Sequence, residues 1–461
     1  MEGLKNVVDA QHNSYVIDRQ IGEGGQGKIF LLQDGHHIVK LFTSRRKITS
    51  LKSDINYLIR LGLDKRYYAV PLREVISPLS GYIAEFASGM IPLSSLKWNM
   101  QEEDFVAWYK STGGTMKRYR VLSRLAYVLR ALHARGLTYC DLSPNNIFVS
   151  SSPDEAEVFL IDMDNVRHRT GIVHNIFTPF YGAPEVVTNA DANTPFSDCF
   201  SFAVIAYELL TAAHPLIGDY VDEEADREEL ALAGKIPWVD DSRDSKNART
   251  TGIPSSVFVS GRMMDLFHRT FEEGLNNSLK RPDMFEWYEA IEQSLDGMLT
   301  CPECNIVYPY YNNRACTICG RKAENVFHVS MRRWDETGTY DASGKPVFGV
   351  DDDVCDDIVF DETSPKTVTT AHFLKGMGDV PKGVLTVVLR EINNGIPKVS
   401  ITPLDGTTFH LYSQAGVPHF KYPTIYRPTG ISINPGNKKE NRLMLTLDEL
   451  CQESCRVLTF D

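Results

Sequence analysis

The sequence lacks any apolar run close to the ~20 residues that a membrane-spanning helix needs, and its first twenty residues contain no apolar core of a signal peptide. It also lacks an excess of positive charge, because 48 Lys and Arg stand against 60 Asp and Glu. The resulting negative field disfavours general binding to a phosphate backbone. Ordinary proportions of hydrophobic (43%) and charged (23%) residues exclude a wholly disordered or fibrous protein. We therefore expect a soluble cytoplasmic protein with no nucleic-acid or membrane partner.

Hydrophobic periodicity divides the chain into regions of different type. Residues 14–86 alternate β-branched and aromatic runs with turn signals and include one helical pattern near residues 51–61, which predicts a small sheet carrying one helix. From about Phe105 the apolar spacing becomes three and four, as in an amphipathic helix. Residues 202–210 are apolar on nearly every side, which predicts a buried helix. The apolar stripe of the first long helix consists of Tyr119, Leu122, Leu125, Ala126, Leu129 and Leu132.

Strand patterns replace helical ones beyond residue 324. The runs 383–392 and 398–404 are joined by Asn394-Gly395, and the run 408–412 follows Asp405-Gly406. Because such residue pairs form the two-residue turns of antiparallel strands, they predict hairpins and an all-β domain. The acidic cluster within residues 351–357 lacks the glycine and the spaced ligands of a calcium loop, which favours a solvated acidic turn.

Four local patterns carry side chains suited to phosphate chemistry. The run IGEGGQGKI at residues 21–29 is rich in glycine, which lets backbone amides approach phosphate oxygens. A strand pattern follows it instead of a helix, so a dinucleotide-binding turn is disfavoured. The other patterns are Lys40 in an apolar strand, Asp141 and Asn146 five positions apart in a turn, and Asp162 at a strand end. Each alone has an ordinary explanation, since Lys is common on edge strands and Asp and Asn in turns.

Together and in this order, the four patterns resemble the protein kinase family. The resemblance covers roughly residues 14–295 and continues through TPFYGAPE at residues 178–185, DCFSFA at residues 198–203 and KRP at residues 280–282. It implies a bilobal α+β kinase fold that uses ATP and Mg²⁺ and acts on a protein substrate.

Carried over position by position, the resemblance implies a role for each matching residue. Lys40 would hold the α- and β-phosphates, and Asn146 and Asp162 would ligate Mg²⁺. Asp141 would accept the proton of the substrate hydroxyl, and Thr178 matches the threonine that Ser/Thr kinases place opposite it. The nucleotide would further contact the glycine-rich run, the hinge and the pocket walls, formed by Gly22, Gly24, Gly27, Ile29, Ile38, Ala84, Glu85, Ala87 and Phe148.

Several positions depart from the family pattern, among them Tyr139 and Cys140, which replace the His-Arg before the catalytic aspartate. No glutamate occurs between residues 28 and 73, so Asp54 is the expected partner of Lys40, with an exposed Asp54 that has no role as the alternative. Ser143 replaces a lysine near the catalytic aspartate, which removes a positive charge from the γ-phosphate. Asp164 replaces the glycine that ends the metal-binding triplet, where it either stiffens the loop or adds an acidic group near Mg²⁺.

A compact cysteine-rich segment follows the kinase-like region. Cys301 and Cys304 form one Cys-x₂-Cys pair, and Cys316 and Cys319 form another eleven residues later. Paired thiolates on two turns suit tetrahedral Zn²⁺, so the spacing predicts a structural zinc ribbon. Four sulfurs leave no open position for metal catalysis. Two disulfides are the alternative, which the expected reducing compartment disfavours.

These patterns lead to one interpretation and two alternatives. We expect a kinase domain over residues 1–298, with a small lobe over about 14–86 and a large lobe over about 88–298, then a zinc ribbon over 299–322. Residues 323–461 would form an all-β domain that either binds a partner, such as a regulatory protein, or regulates the kinase domain. The activity would be Mg-ATP-dependent phosphorylation of Ser or Thr, with autophosphorylation, in the style of divergent bacterial kinases. The alternatives are a nucleotide-binding pseudokinase scaffold acting through its C-terminal domains and a small-molecule kinase.

Overall fold

The computed structural model describes residues 4–24, 27–43, 55–98, 104–168, 175–310, 315–340 and most of 342–460, where 345, 362–363, 374–381, 394–395, 414–419, 422–424, 426, 433–442 and 448–455 are left out. The chain divides into two compact units, Met1–Ile253 with Met264–Tyr288 and Pro254–Met263 with Glu289–Asp461. The division into three domains remains a prediction.

Unit 1 begins with a closed barrel of six antiparallel strands in the order β1-β2-β3-β4-β6-β5. The strands are β1 Asn6–Asp9, β2 Ser14–Gly24, β3 Gly27–Leu32, β4 His37–Phe42, β5 Arg73–Ser77 and β6 Gly81–Glu85. Residues 55–60 between β4 and β5 are helical, in agreement with the sequence pattern. Alternating apolar side chains fill the barrel, namely Val7, Phe30, Leu32, Val39, Leu41, Val75 and Ile83.

A mainly helical region follows the barrel. Its strands are β7 Met90–Pro92, β8 Leu137–Thr138, β9 Ile147–Ser150, β10 Val158–Leu160 and β11 Arg167–His168. Its α-helices are α1 Phe105–Ser111, α2 Gly114–His133, α3 Pro184–Val187, α4 Pro195–Thr211, α5 Asp219–Asp222 and α6 Asp226–Leu232. Of the later helices, α7 Ser255–Phe258 belongs to unit 2, and α8 Gly261–His268 and α9 Met284–Asp296 have residues in both units. Short 3-10 helices span Leu93–Leu96, Met163–Asn165, Ser245–Asn247 and Ser278–Lys280, and Arg269–Glu273 forms a π-helical turn.

The two long helices predicted from periodicity are confirmed. All six residues of the predicted stripe are buried in α2, and α4 is buried along almost its whole length. A capping box starts α4, since the side chains of Thr194 and Ser197 each accept a hydrogen bond from the other's backbone N–H. No helix in the described part of the chain is both long enough and apolar enough to cross a bilayer.

A buried ion pair joins α3 to the segment before α9. The guanidinium of Arg281 is fully buried and donates to both carboxylate oxygens of Glu185, at 2.7 and 2.8 Å. Its Nε donates to the carbonyl of Gly274 at 2.8 Å. Because Arg281 has no access to water, Glu185 is the group that compensates its charge.

Unit 2 contains two sheets around a shared apolar core. One sheet has the order β15-β14-β23-β22-β19-β20 and the other β16-β17-β18-β21, beside the small pair β12-β13. Side chains from both sheets meet in the core, including Val329, Ile358, Val387, Val399 and Leu458. The strands are β12 Met298–Thr300, β13 Val307–Pro309, β14 Phe327–Tyr340, β15 Pro346–Phe360, β16 Lys366–Thr369, β17 Gly383–Asn393, β18 Ile396–Pro403, β19 His410–Ser413, β20 Phe420–Lys421, β21 Thr429–Ser432, β22 Leu443–Thr446 and β23 Arg456–Phe460, and Thr370–His372 is a 3-10 turn.

One of the two hairpins expected in this region is present and the other is wrong. Strands β17 and β18 pair antiparallel as predicted, although Asn394-Gly395 lies outside the described residues. Asp405 and Gly406 do adopt the positive φ of a tight turn, at 48° and 73°. However, β18 pairs with β21, and β19 pairs with β20 and β22. The turn therefore carries the chain from one sheet to the other.

The expectation of a solvated acidic turn is also wrong. Residues 351–357 lie within β15, and Asp356 points inward with 4% of its surface exposed. Its Oδ1 accepts from Arg262 Nη2 at 3.1 Å, whereas its buried Oδ2 has no hydrogen-bond partner among the residues that the structure describes. Burial raises the pKa of Asp356 to about 7, with the charge of Asp296 adding to the shift and Arg262 opposing it. Strand pairing, which sequence charge does not reveal, placed this carboxyl inside.

Replacing Glu185 by Gln should lower the free energy of unfolding by about 3 kcal/mol, because Arg281 would stay buried without a counter-charge. Urea unfolding measures the loss. Glu286→Gln is the matched control, since Glu286 makes a similar two-point contact with Arg269 at a partly exposed site, and it should cost less than about 1 kcal/mol. Equal losses in the two variants would contradict the assignment.

The stability of unit 2 should fall as pH rises, because the pKa of Asp356 is about 7 in the folded chain against about 3.9 in an unfolded one. As pH rises, Asp356 thus ionises first in the unfolded state, and the free energy of unfolding falls between about pH 4 and pH 7. We expect Asp356→Asn to raise the unfolding temperature by about 3–5 °C at pH 8 and by less at pH 5. Calorimetry tests this, with the exposed Asp405→Asn as control; a gain independent of pH would disprove it.

Candidate active site

Lys40 lies in β4 with its ammonium directed at two carboxylates. It is opposite Tyr82 of β6 in the strand register and is 4% exposed. Its Nζ donates to Asp162 Oδ1 at 3.0 Å and to Asp164 Oδ1 at 2.9 Å. Tyr82 donates its hydroxyl to the same Asp164 oxygen at 3.2 Å. The strand pairing and the segment after β10 together form this cluster.

Negative charge exceeds positive charge in this cluster. Burial by itself lowers the pKa of Lys40, but the charges of Asp164 and Asp162 outweigh it, so the pKa lies above its ordinary value. Burial raises the pKa of Asp162, and the neighbouring charges of Asp164 and Asp141 add to that shift while Lys40 reduces it. Among the described residues, two carboxylates contact this one ammonium and Asp141 adds a third negative charge near Asp162, which leaves a field that a divalent cation would neutralise.

The turn between β8 and β9 presents Asp141 and Asn146. Thr178 donates its hydroxyl to Asp141 Oδ1 at 2.7 Å, and Asn146 and Asn165 donate their amides to Asp141 Oδ2 at 3.2 and 3.3 Å. Asn146 Nδ2 also donates to the Asp141 carbonyl at 2.8 Å. Since Asn165 is adjacent to Asp164, a single short segment contacts both Lys40 and Asp141.

A buried carboxylate on α4 fixes the conformation of this turn. Asp198 accepts backbone N–H bonds from Tyr139 at 2.7 Å and Cys140 at 3.0 Å, and His133 Nε2 lies 2.9 Å from its Oδ2. Cys140 has φ of 73°, which non-glycine residues rarely adopt. The Tyr139 hydroxyl donates to the carbonyl of Ile161, next to Asp162. These bonds hold Asp141 and Asp162 in fixed positions.

The glycine-rich run forms the expected hairpin between β2 and β3. Gly22 pairs with Ile29 and Gly24 with Gly27, and the two residues at the tip lie outside the described residues. A side chain at Gly27 would place Cβ 2.2 Å from the carbonyl oxygen of Leu41. Glycine at position 27 is therefore required for the pairing of β3 with β4, whatever its role towards a nucleotide.

The remaining predicted pocket residues occupy the neighbouring strands. Ile38 pairs with the fully buried Ala84, and Glu85 ends β6. Ala87 follows in the connection to β7, and Phe148 lies in β9 beside the Asp141 turn. Their contacts with a nucleotide remain predictions.

Sequence reasoning missed two members of the cluster and could not place a third. Tyr82 and Asn165 escaped notice, although the polar run Asp162-Met163-Asp164-Asn165 after an apolar strand was a usable signal. Tyr82 had no such signal, because only strand register sets it opposite Lys40. Asp54 lies outside the described residues.

The four cysteines of the two Cys-x₂-Cys pairs converge. Cys301 and Cys319 have their sulfurs 3.5 Å apart, Cys304 and Cys316 3.6 Å apart, and all four lie within 4.8 Å of one another. A tetrahedron of Zn–S bonds of about 2.3 Å places sulfurs about 3.8 Å apart, whereas a disulfide needs about 2.05 Å. The thiols are unbonded, so the alternative of two disulfides is not what the structure shows.

Both Cys-x₂-Cys turns have the same backbone geometry. The residue after each pair has positive φ, at Asn305 (55°) and Gly320 (74°), and its N–H donates to the carbonyl of the first cysteine of that pair at 2.9 Å. Two matching turns that present four sulfurs to one point fit a tetrahedral metal site.

Comparison with known proteins agrees with this geometry. Residues 100–282 match the family model of the protein kinase domain. The relatives include the serine/threonine-protein kinases PknL of Mycobacterium tuberculosis, 32% identical over 146 residues, and Pkn1 of Myxococcus xanthus, 26% identical over 245 residues. These matches cover 28% and 47% of this chain, and they span 35% and 31% of the relatives' own lengths.

A plant relative extends the comparison. Serine/threonine-protein kinase GRIK1 of Arabidopsis thaliana is 23% identical over 234 residues, which cover 47% of this chain and 56% of GRIK1. The matched family model and the cluster formed by Lys40, Asp141, Asn146 and Asp162 agree: residues 100–282 match the protein kinase domain, and the chain is similar to Ser/Thr kinases.

Proposed function

We propose that this protein transfers the γ-phosphoryl group of Mg-ATP to Ser or Thr hydroxyls of a protein substrate, with autophosphorylation as one outcome. The observation that carries the proposal is the arrangement of Lys40 with Asp162 and of Asp141 with Asn146 and Thr178, connected through residues 162–165. In the kinase family these positions hold phosphates, metal and substrate hydroxyl.

Asp141 is positioned to act as the proton acceptor. Both of its carboxylate oxygens already accept hydrogen bonds, which orients the group before substrate arrives. The substrate oxygen attacks the γ-phosphorus, the bond to the β–γ bridging oxygen breaks, and ADP leaves. The hydroxyl proton passes to Asp141 and then to solvent. Thr178 beside Asp141 favours Ser and Thr as acceptors.

Asn146 and Asp162 fit a magnesium site. Within the described part of the chain, both side-chain hydrogen bonds of Asn146 use its Nδ2, so its side-chain Oδ1 remains available as a ligand. Asp162 supplies a second hard oxygen close to the excess of negative charge. Mg²⁺ held by these two residues would neutralise phosphate charge. Lys40 would add its positive charge to the α- and β-phosphates.

The nucleotide would lie between the β2–β3 hairpin and the strands behind it. The hairpin glycines Gly22, Gly24 and Gly27 allow backbone amides to approach phosphates. Ile38, Ala84 and Phe148 would form the walls around adenine, Ile29 would contact the nucleotide from β3, and the backbone from Glu85 to Ala87 would meet the base edge. The small side chain of Ala84 widens the back of this pocket.

We expect Asp141→Asn to reduce phosphoryl transfer by at least ~10²-fold, because it removes the proton acceptor, while nucleotide affinity stays within about twofold. Transfer of label from γ-labelled ATP to the chain and to a generic protein substrate measures the effect. The exposed Asp154→Asn serves as a control with the same chemical change. Nucleotide binding without transfer in the unaltered protein would instead support the pseudokinase scaffold.

We further propose that the Cys301, Cys304, Cys316 and Cys319 cluster binds structural Zn²⁺. Four thiolates close the coordination sphere, so the ion would stabilise this segment and would not take part in phosphoryl transfer. The bound ion would then fix the surface that the adjoining strands of unit 2 offer to a regulatory partner.

Elemental analysis should find about one zinc per chain in the purified protein. Changing both Cys301 and Cys304 to Ser should abolish it, because two ligands cannot retain the ion against competing chelators. Cys355→Ser, outside the cluster, should keep the metal. Zinc retained by the double variant would refute the site.

A further inference from the structure

We propose that Asp164 is the permanent counter-ion of Lys40 and holds its ammonium in place, so that Asp162 is released to ligate Mg²⁺ when nucleotide binds. This makes Asp164 a positioning residue. Its consequence for phosphoryl transfer rests on the proposed function, whereas the interaction itself can be measured without activity.

The two carboxylates on Lys40 differ in their exposure to solvent. The side chain of Asp164 is 2% exposed, whereas that of Asp162 is 28% exposed. An incoming cation can therefore reach Asp162, while Asp164 faces the protein interior. The Tyr82 hydroxyl donates to the same oxygen of Asp164 that contacts Lys40, which fixes the carboxylate from the opposite strand.

The backbone around Asp164 is held independently of Lys40. Met163–Asn165 forms a 3-10 turn closed by hydrogen bonds from Asn165 N to the Asp162 carbonyl and from Val166 N to the Met163 carbonyl, both 3.1 Å. Arg167 also donates to the Asp164 carbonyl. The Asp164 carboxylate is thus presented by a rigid turn, so ordering it costs little when nucleotide arrives.

Lys40 needs a counter-charge and Mg²⁺ needs a carboxylate ligand, and a single carboxylate cannot serve as both at the same time. If Lys40 were held by Asp162 alone, binding of Mg²⁺ would take the partner away from a buried ammonium. Asp164 keeps a charge-assisted hydrogen bond to Lys40 in both situations. Within the described residues, the position of Lys40 is consequently fixed by the segment after β10 and by β6.

A double-mutant cycle tests the pair in the absence of nucleotide. In unaltered protein, Lys40→Met leaves two carboxylates without their cation and should lower the unfolding temperature strongly. In the Asp164→Asn background the same change should cost clearly less, because one of those carboxylates is already neutral. In the Asp54→Asn and Asp154→Asn backgrounds the cost of Lys40→Met should be unchanged.

Nucleotide binding gives a second readout. We expect Asp164→Asn to weaken the affinity for ATP with Mg²⁺ by about tenfold in calorimetric titration, the loss typical of one charge-assisted hydrogen bond, and to raise the Mg²⁺ concentration needed for half-maximal binding. Asp164→Glu should recover most of the affinity, and Tyr82→Phe should show a smaller loss in the same direction. A purely structural role for Asp164 would make Glu as harmful as Asn.

The outcomes separate the two proposals. Additive effects of Lys40→Met and Asp164→Asn, or coupling of Lys40 to Asp54, would overturn the role of Asp164 whether or not the protein transfers phosphate. Coupling to Asp164 in a protein without transferase activity would uphold the pair and refute the proposed function. If Asp164→Asn does not fold, the other two variants decide the question. An Asp164→Glu protein that folds and binds nucleotide supports the charge requirement. The requirement is contradicted if Asp164→Glu also fails to fold and Tyr82→Phe binds nucleotide with unchanged affinity.

Discussion

The candidate active site depends on the hydrogen bonds that the buried carboxylate of Asp198 accepts. It accepts the backbone N–H groups of Tyr139 and Cys140 at a point where Cys140 has positive φ. The helix α4, which is buried along almost its whole length, carries this carboxylate, so the turn is attached to the core of unit 1. Without these bonds, the Cys140 backbone would relax and Asp141 would lose its orientation.

Charge balance is the second constraint on the site. Lys40 is nearly inaccessible to water and is surrounded by more negative than positive charge. Lys40 and Tyr82 both donate hydrogen bonds to Asp164, whereas the partly exposed Asp162 is the carboxylate that solvent can reach. The described residues therefore combine a buried ammonium with one buried and one partly exposed carboxylate.

Much of the kinase-like region could be predicted from local patterns. The stripe of α2, the buried α4 and the glycine hairpin follow from periodicity and turn chemistry, which depend on neighbouring residues. The prediction of a hairpin at Asp405-Gly406 was wrong because a tight turn fixes the local backbone but does not determine which strands pair with each other. The prediction that Asp356 is solvated was wrong for a related reason. A charged residue suggests exposure to solvent, whereas strand pairing directs this carboxyl inward.

The sequence by itself determined which groups are present: an isolated lysine in an apolar strand, polar turns after two strands, and two cysteine pairs with zinc spacing. Only the tertiary structure decided that Asp164 faces Lys40, that Tyr82 supports it, and that Asn165 contacts Asp141. Such contacts join residues up to 124 positions apart along the chain, and their geometry is set by strand register and core packing, which no local pattern records.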